Sequence, residues 1–261
     1  MDQHKTEKWW TFLILIACFN LTAWSLIFWI WHPNQDPHGY VQKHLYLSGI
    51  YTGVCAFRSF WPRIDLERYC LVDSMLSSMV LGRTAATIAE VSFAIQMMFF
   101  LQEIGTHAQF SWVFNSAPWV VVSLCIAQLF CWSSVLSLSH WGHWIEESIW
   151  GGTFLYIGGI LALCLSSLQG DWFWIALVGL IISGAYVLFM GLVDIPMYYR
   201  RWQKGRTQGK DVLGFKDGIN DALFRREVTR SWLVWKEEIM WLTGYFTGAV
   251  WLSILLVFLP R

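Results

Sequence analysis

Seven apolar stretches, most of them about as long as a bilayer is thick, leave few folds open to this chain. A helix that crosses the hydrocarbon core needs roughly 20 mostly apolar residues. Stretches of that kind occupy 10–31, 45–61, 84–101, 117–139, 148–168, 173–199 and 239–259. The second is the shortest and most polar, and Arg58 lies near its end. Backbone polar groups in hydrocarbon must be satisfied within the segment, so the expected fold is all-α, a seven-transmembrane helix bundle. Composition agrees. Only 14% of residues are charged and 56% are hydrophobic, whereas soluble domains carry about 25% charged residues. The 19 tryptophans suit repeated crossings of a membrane interface. A net charge of +0 speaks against a nucleic-acid binder.

The basic residues set an orientation. With seven spans, 16 of the 18 Lys and Arg fall on the side shared by the N-terminus and the second, fourth and sixth loops. Only Lys43 and Arg261 fall on the other. The positive-inside rule makes the crowded face cytoplasmic, with the C-terminus outside. Removing the second span would scatter these charges over both faces. The first span reads as a signal anchor, being too long for the apolar core of a cleaved signal peptide. The whole chain, 1–261, is expected to be a single multi-pass membrane domain in a plasma, inner or organelle membrane. Its one sizeable loop is the basic cytoplasmic segment 200–238, which contains Asp211 and an interfacial helix expected over 219–235. Two small-residue patterns, Gly82 with Ala85, Ala86 and Ala89, and Gly244 with Gly248, are expected to pack helices closely.

Ionisable groups inside spans are costly and so mark candidate sites. Glu90 lies seven residues beyond Arg83, on the same helix face as Thr87. Asp194 lies just ahead of Pro196, which bends a helix. The stretch from Ser139 to Ser148 is the densest polar cluster. If helical, it places His140, His143 and Glu147 on one face, a spacing that can offer two imidazoles and a carboxylate to a divalent metal ion. Gly142 is expected to threaten that helix. Glu146 and Glu147 also suit a helix N-terminus. In the second loop, Arg63, Arg68 and Arg83 could grip an anionic headgroup. The six cysteines have no C-x-x-C spacing and read as small buried hydrophobes.

These groups converge on the cytoplasmic half. That pattern suits a membrane-embedded enzyme acting on a lipid-like or other hydrophobic small molecule. Glu90, Asp194, His143 and Glu147 would supply acid–base or metal chemistry. Two other readings stay open. One is a small proton- or cation-coupled transporter or channel centred on Glu90. The other is an accessory subunit whose Trp-rich helices dock onto partner helices. Membrane lipids are expected neighbours in every case. No G-x-S-x-G, H-E-x-x-H or phosphate-cradling glycine loop occurs.

Overall fold

In the computed structural model of the chain, residues 2–31, 39–210 and 212–259 are described. Asp211 and Arg261, which enter the charge reading above, lie outside them. Along the chain the described residues form α1 (Asp2–Ile30), α2 (Tyr40–Phe60), β1 (Arg63–Ile64), β2 (Tyr69–Cys70), α3 (Met79–His107), α4 (Ser111–Ser116), α5 (Pro118–Ser137), α6 (Trp141–Cys164), α7 (Asp171–Phe189), α8 (Ile195–Thr207), α9 (Phe215–Phe224), β3 (Glu227–Val228), α10 (Trp232–Trp235), α11 (Ile239–Gly244) and α12 (Val250–Leu255).

Six helical stretches among the described residues are long and apolar enough to cross a membrane: Asp2–Ile30, Met79–His107, Ser111–Ser137, Trp141–Ser167, Asp171–Thr207 and Ile239–Phe258. The chain thus has the build of a multi-pass membrane protein. Bare apolar side chains on the helix flanks agree. Trp29, Leu129, Leu155, Leu163 and Leu188 are all exposed, and apolar surface on that scale is suited to lipid rather than water. The stretch expected to form the second span is α2, 21 residues long. Its polarity has a local cause: His44, Ser48, Thr52 and Ser59 are all buried. They face protein, so they lower its hydropathy without exposing polar groups.

The chain divides into two compact units. The first comprises Met1–Phe93 and Lys216–Leu259, the second Ala94–Phe215. In the first, α2 packs against α1 and α12. The indole of Trp24 lies on Gly49, where a Cβ would collide with the ring, and donates to Leu45 O at 3.1 Å. Between α11 and α12 the last span widens into a π turn over Tyr245–Ala249. Asn20, buried in α1, donates to Phe246 O in that turn at 2.8 Å. A π turn takes carbonyls out of their usual pairing, and here the side-chain amide supplies a donor. The pattern at Gly244 and Gly248 behaves differently from expectation, since a Cβ on either would meet nothing within 4 Å.

The interfacial helix expected over 219–235 is broken. Helix α9 stops at Phe224 because the next residues pair as β3 with β2, in parallel, with Tyr69 opposite Glu227 and Cys70 opposite Val228. β2 pairs antiparallel with β1. Glu227 N donates to Arg68 O, and Thr229 N to Cys70 O. Trp235 of α10 is fully buried, donates to Thr229 O at 2.8 Å and lies 5.6 Å from the Trp9 ring.

In the second unit α6 is central and packs against α5, α7 and α8. Gly158 on α6 sits against Ser183, and Gly179 on α7 against Leu161. Small residues let the two backbones approach. Helix α7 runs into α8 through a second π turn, Met190–Asp194. Pro196 explains its place. Proline lacks an N–H, and its ring clashes with the carbonyl four residues back, so the turn before it opens by one residue.

Candidate functional site

The sequence-derived site residues fall into both units. In the first, α3 carries Arg83 and Glu90. Arg83 Nη2 donates to Glu90 Oε1 at 2.6 Å, and both side chains are buried. Arg68 takes a left-handed backbone at the β1–β2 turn, with φ of 61°. Its Nε donates to Asp221 at 2.7 Å and its Nη1 to Asp65 O at 2.6 Å. Arg63 lies on Gly82, where a Cβ would strike the guanidinium. It donates to Ser78 O at 2.7 Å and Leu76 O at 3.3 Å, and stacks over Phe57. Its Nε and Nη2 are buried without a hydrogen-bond partner among the described residues. Burial, and next the charge of Arg58, pull its pKa down to about 10. Of the three arginines expected to hold a headgroup, Arg68 and Arg83 thus each face a carboxylate, and Arg63 mainly backbone carbonyls.

In the second unit the polar residues gather around the start of α6. Gly142 does not break this helix, which begins at Trp141. A Cβ at Gly142 would run into Phe130 O and Ser134 Oγ of α5. The missing side chain therefore lets the two helices touch. Leu138 turns the chain with a left-handed φ of 58°. Ser134 Oγ donates to Ser139 O at 2.6 Å and accepts from His143 N at 2.7 Å. This brings His143 against α5, where its Nδ1 lies 3.8 Å from Cys131 Sγ and 2.7 Å from Glu146 Oε2. The donor atoms of Cys131, His143 and Glu146 all lie within 4.8 Å of one another.

The other expected residues take different places. Glu147 turns to Asp194, its hydrogen-bond partner across the α6–α8 contact. Asp194 is 1% exposed, and its Oδ1 has no hydrogen-bond partner among the described residues. Electrostatically it meets Glu146, His143 and Arg201. His140 stands at the N-cap of α6, 6.1 Å from the Tyr198 ring, whereas His143 is 5.2 Å from it. Burial, and next the charges of His143, Arg201 and Lys210, push the His140 pKa down to about 3, so its imidazole is neutral at pH 7. Its Nδ1 is buried without a hydrogen-bond partner among the described residues. Thus His143, Glu147 and Asp194 come together, but His140 and Glu147 do not join His143 in one donor set. Cys131 and Glu146 do.

Sequence reading passed over these two. Cys131 belongs to the neighbouring helix, so no local spacing announces it. Glu146 has a sufficient explanation as an acid near a helix start. The signal that could have found both is Gly142, read as a close approach of two helices instead of a helix breaker. Comparison with known protein families, with curated proteins and with solved structures yields no match, so the chemistry of this cluster has to be read from its own residues.

Proposed function

We propose that the chain is a seven-span membrane protein, N-terminus cytoplasmic and C-terminus outside, and that its second unit holds the reactive site of a membrane-embedded enzyme. Its substrate class is lipid-like or hydrophobic, reached from the cytoplasmic side. Helix α2 is the second of the seven spans in this reading, added to the six long apolar helices on its length and on the one-sided distribution of basic residues. One observation carries the site. Three carboxyl groups, Glu146, Glu147 and Asp194, crowd beside His143 within apolar helices, and a buried Asp194 oxygen lacks a hydrogen-bond partner. Surplus buried carboxyls are costly and are the groups that take and return protons in catalysis.

In this reading the Glu147–Asp194 pair is the acid–base couple, and His143 is oriented by Glu146. Arg201, placed over the Tyr198 ring and acting on Asp194, attracts an anionic headgroup. Glu90 enters as the partner of Arg83, in a charge pair that holds the first unit. The test is product profiling by mass spectrometry. Protein in proteoliposomes is incubated with a total lipid extract, wild type beside Asp194→Asn. Protein-dependent conversion that disappears in Asp194→Asn supports the enzyme. Absence of conversion, together with a proton or solute flux that Asp194→Asn abolishes, overturns it in favour of a transporter.

A further inference from the structure

The donor set beside the acid–base pair has a composition of its own. Cys131 offers a thiol, His143 an imidazole nitrogen and Glu146 a carboxylate. They come from two helices, with Gly142 providing the close approach. Zinc bonds to such atoms at about 2.0–2.3 Å, and a tetrahedral angle between bonds of that length separates donors by about 3.4–3.6 Å. The sulfur–nitrogen separation of 3.8 Å is already near that value. The nitrogen–oxygen separation of 2.7 Å is a hydrogen bond, which gives way as the ion enters and both atoms turn toward it. A second observation points the same way. Asp194, 1% exposed and with Oδ1 lacking a hydrogen-bond partner among the described residues, interacts electrostatically with both Glu146 and His143. A cation at the cluster offsets that concentration of negative charge.

We infer that Cys131, His143 and Glu146 bind one zinc ion, through Sγ, Nδ1 and a carboxylate oxygen, and that the fourth position is open. A thiolate ligand selects against magnesium and calcium, which prefer all-oxygen shells. Three protein ligands with a vacant fourth position is the arrangement of catalytic rather than structural zinc. Binding replaces the S–H bond of Cys131 with a sulfur–zinc bond and releases that proton to solvent, while the proton of the His143 Nδ1–Glu146 hydrogen bond moves to His143 Nε2, so that Nδ1 and the carboxylate oxygen are free to bind the ion. The ion then presents a water or a substrate oxygen beside Glu147 and Asp194. This inference rests on the reading of the cluster as the reactive site.

The experiment is metal analysis of the detergent-purified full chain, loaded with zinc and, separately, with cobalt(II). One metal per chain is expected, together with a thiolate-to-cobalt charge-transfer band in the near ultraviolet. Cys131→Ser should abolish the band and weaken zinc retention by more than about tenfold. Cys125→Ser, an exposed cysteine of the same helix, should change neither. Cobalt bound to wild type without the charge-transfer band overturns the inference, and so does a band that survives Cys131→Ser. Failure to retain zinc or cobalt at all also overturns it. These readouts need only the wild type if Cys131→Ser fails to fold. Asp194→Asn separates the two proposals: it should keep the metal and lose the lipid conversion. Metal absent with conversion still dependent on Asp194 refutes the zinc site alone. Metal present with no protein-dependent conversion refutes the enzyme reading alone, and conversion indifferent to Asp194 refutes its place in the acid–base couple.

Discussion

The two units treat buried charge differently. In the first, two buried arginines each meet a carboxylate, Arg83 with Glu90 and Arg68 with Asp221, whereas Arg63 donates to two carbonyls and keeps Nε and Nη2 without a hydrogen-bond partner among the described residues. In the second, three carboxyl groups, Glu146, Glu147 and Asp194, gather with the Cys131 thiol and the His143 imidazole, and Asp194 Oδ1 lacks a hydrogen-bond partner among the described residues. A matched pair satisfies its own desolvation cost and needs nothing further. In the reading proposed above, the gathering of carboxyl groups, rather than unpartnered atoms as such, sets the second unit apart as the reactive one.

The comparison breaks most visibly at α3. Glu90→Gln or Arg83→Ala leaves one charge buried and alone, and should cost about 3–5 kcal/mol, read as a fall in melting temperature in detergent. Asp194→Asn should leave melting unchanged or raise it, since it removes a charge crowded by Glu146. Equal losses at the two sites would erase the distinction drawn above.

Close helix approach gives the next effect. Gly142→Ala should cost about 1–3 kcal/mol through overpacking, because the backbone oxygen of Phe130 cannot swing aside. Gly82→Ala should cost less, because the Arg63 guanidinium is the far end of a flexible side chain. Differential scanning fluorimetry of both variants ranks them.

An effect spread over several pH units follows from His140. His140 is neutral in the folded chain down to about pH 3, while the unfolded chain takes up a proton near its ordinary value of 6.5. Its contribution is therefore intact above pH 6.5 and is lost as pH falls from there toward 3, by at most about 1.4 kcal/mol per pH unit. His140→Gln should flatten the acid side of a melting-temperature profile over that window. The smallest effect belongs to the exposed pair of Arg230 and Glu7, 3.1 Å apart. Arg230→Ala should shift stability by no more than about 0.5 kcal/mol.

How far these features could be read from the residues depends on the range of the contacts. Apolar runs announce helices because hydrophobicity along one segment is a local property, and six of the expected spans coincide with long apolar helices. Arg83 and Glu90 were readable together because seven residues is two turns of one helix. Cys131 meets His143 only across a hairpin, and α9 stops at Phe224 only because β2 captures the strand that follows. Neither event leaves a periodic trace. Helix α2 sits between these cases: its length was readable, whereas the burial of its polar residues needed the neighbouring helices.

The π turn at Met190–Asp194 has a consequence for the arithmetic of the span. It amounts to one surplus residue, a phase offset of about 100° at 3.6 residues per turn. Everything beyond it, including Tyr198 and the basic end of α8, is aimed by that offset. Deleting Val193 would let the helix close to an ordinary pitch and swing Asp194 off α6, with no atom of the polar cluster altered. One residue of chain length, exposed on the helix flank and without any chemistry of its own, thus steers the carboxyl group on which the reading of this protein turns.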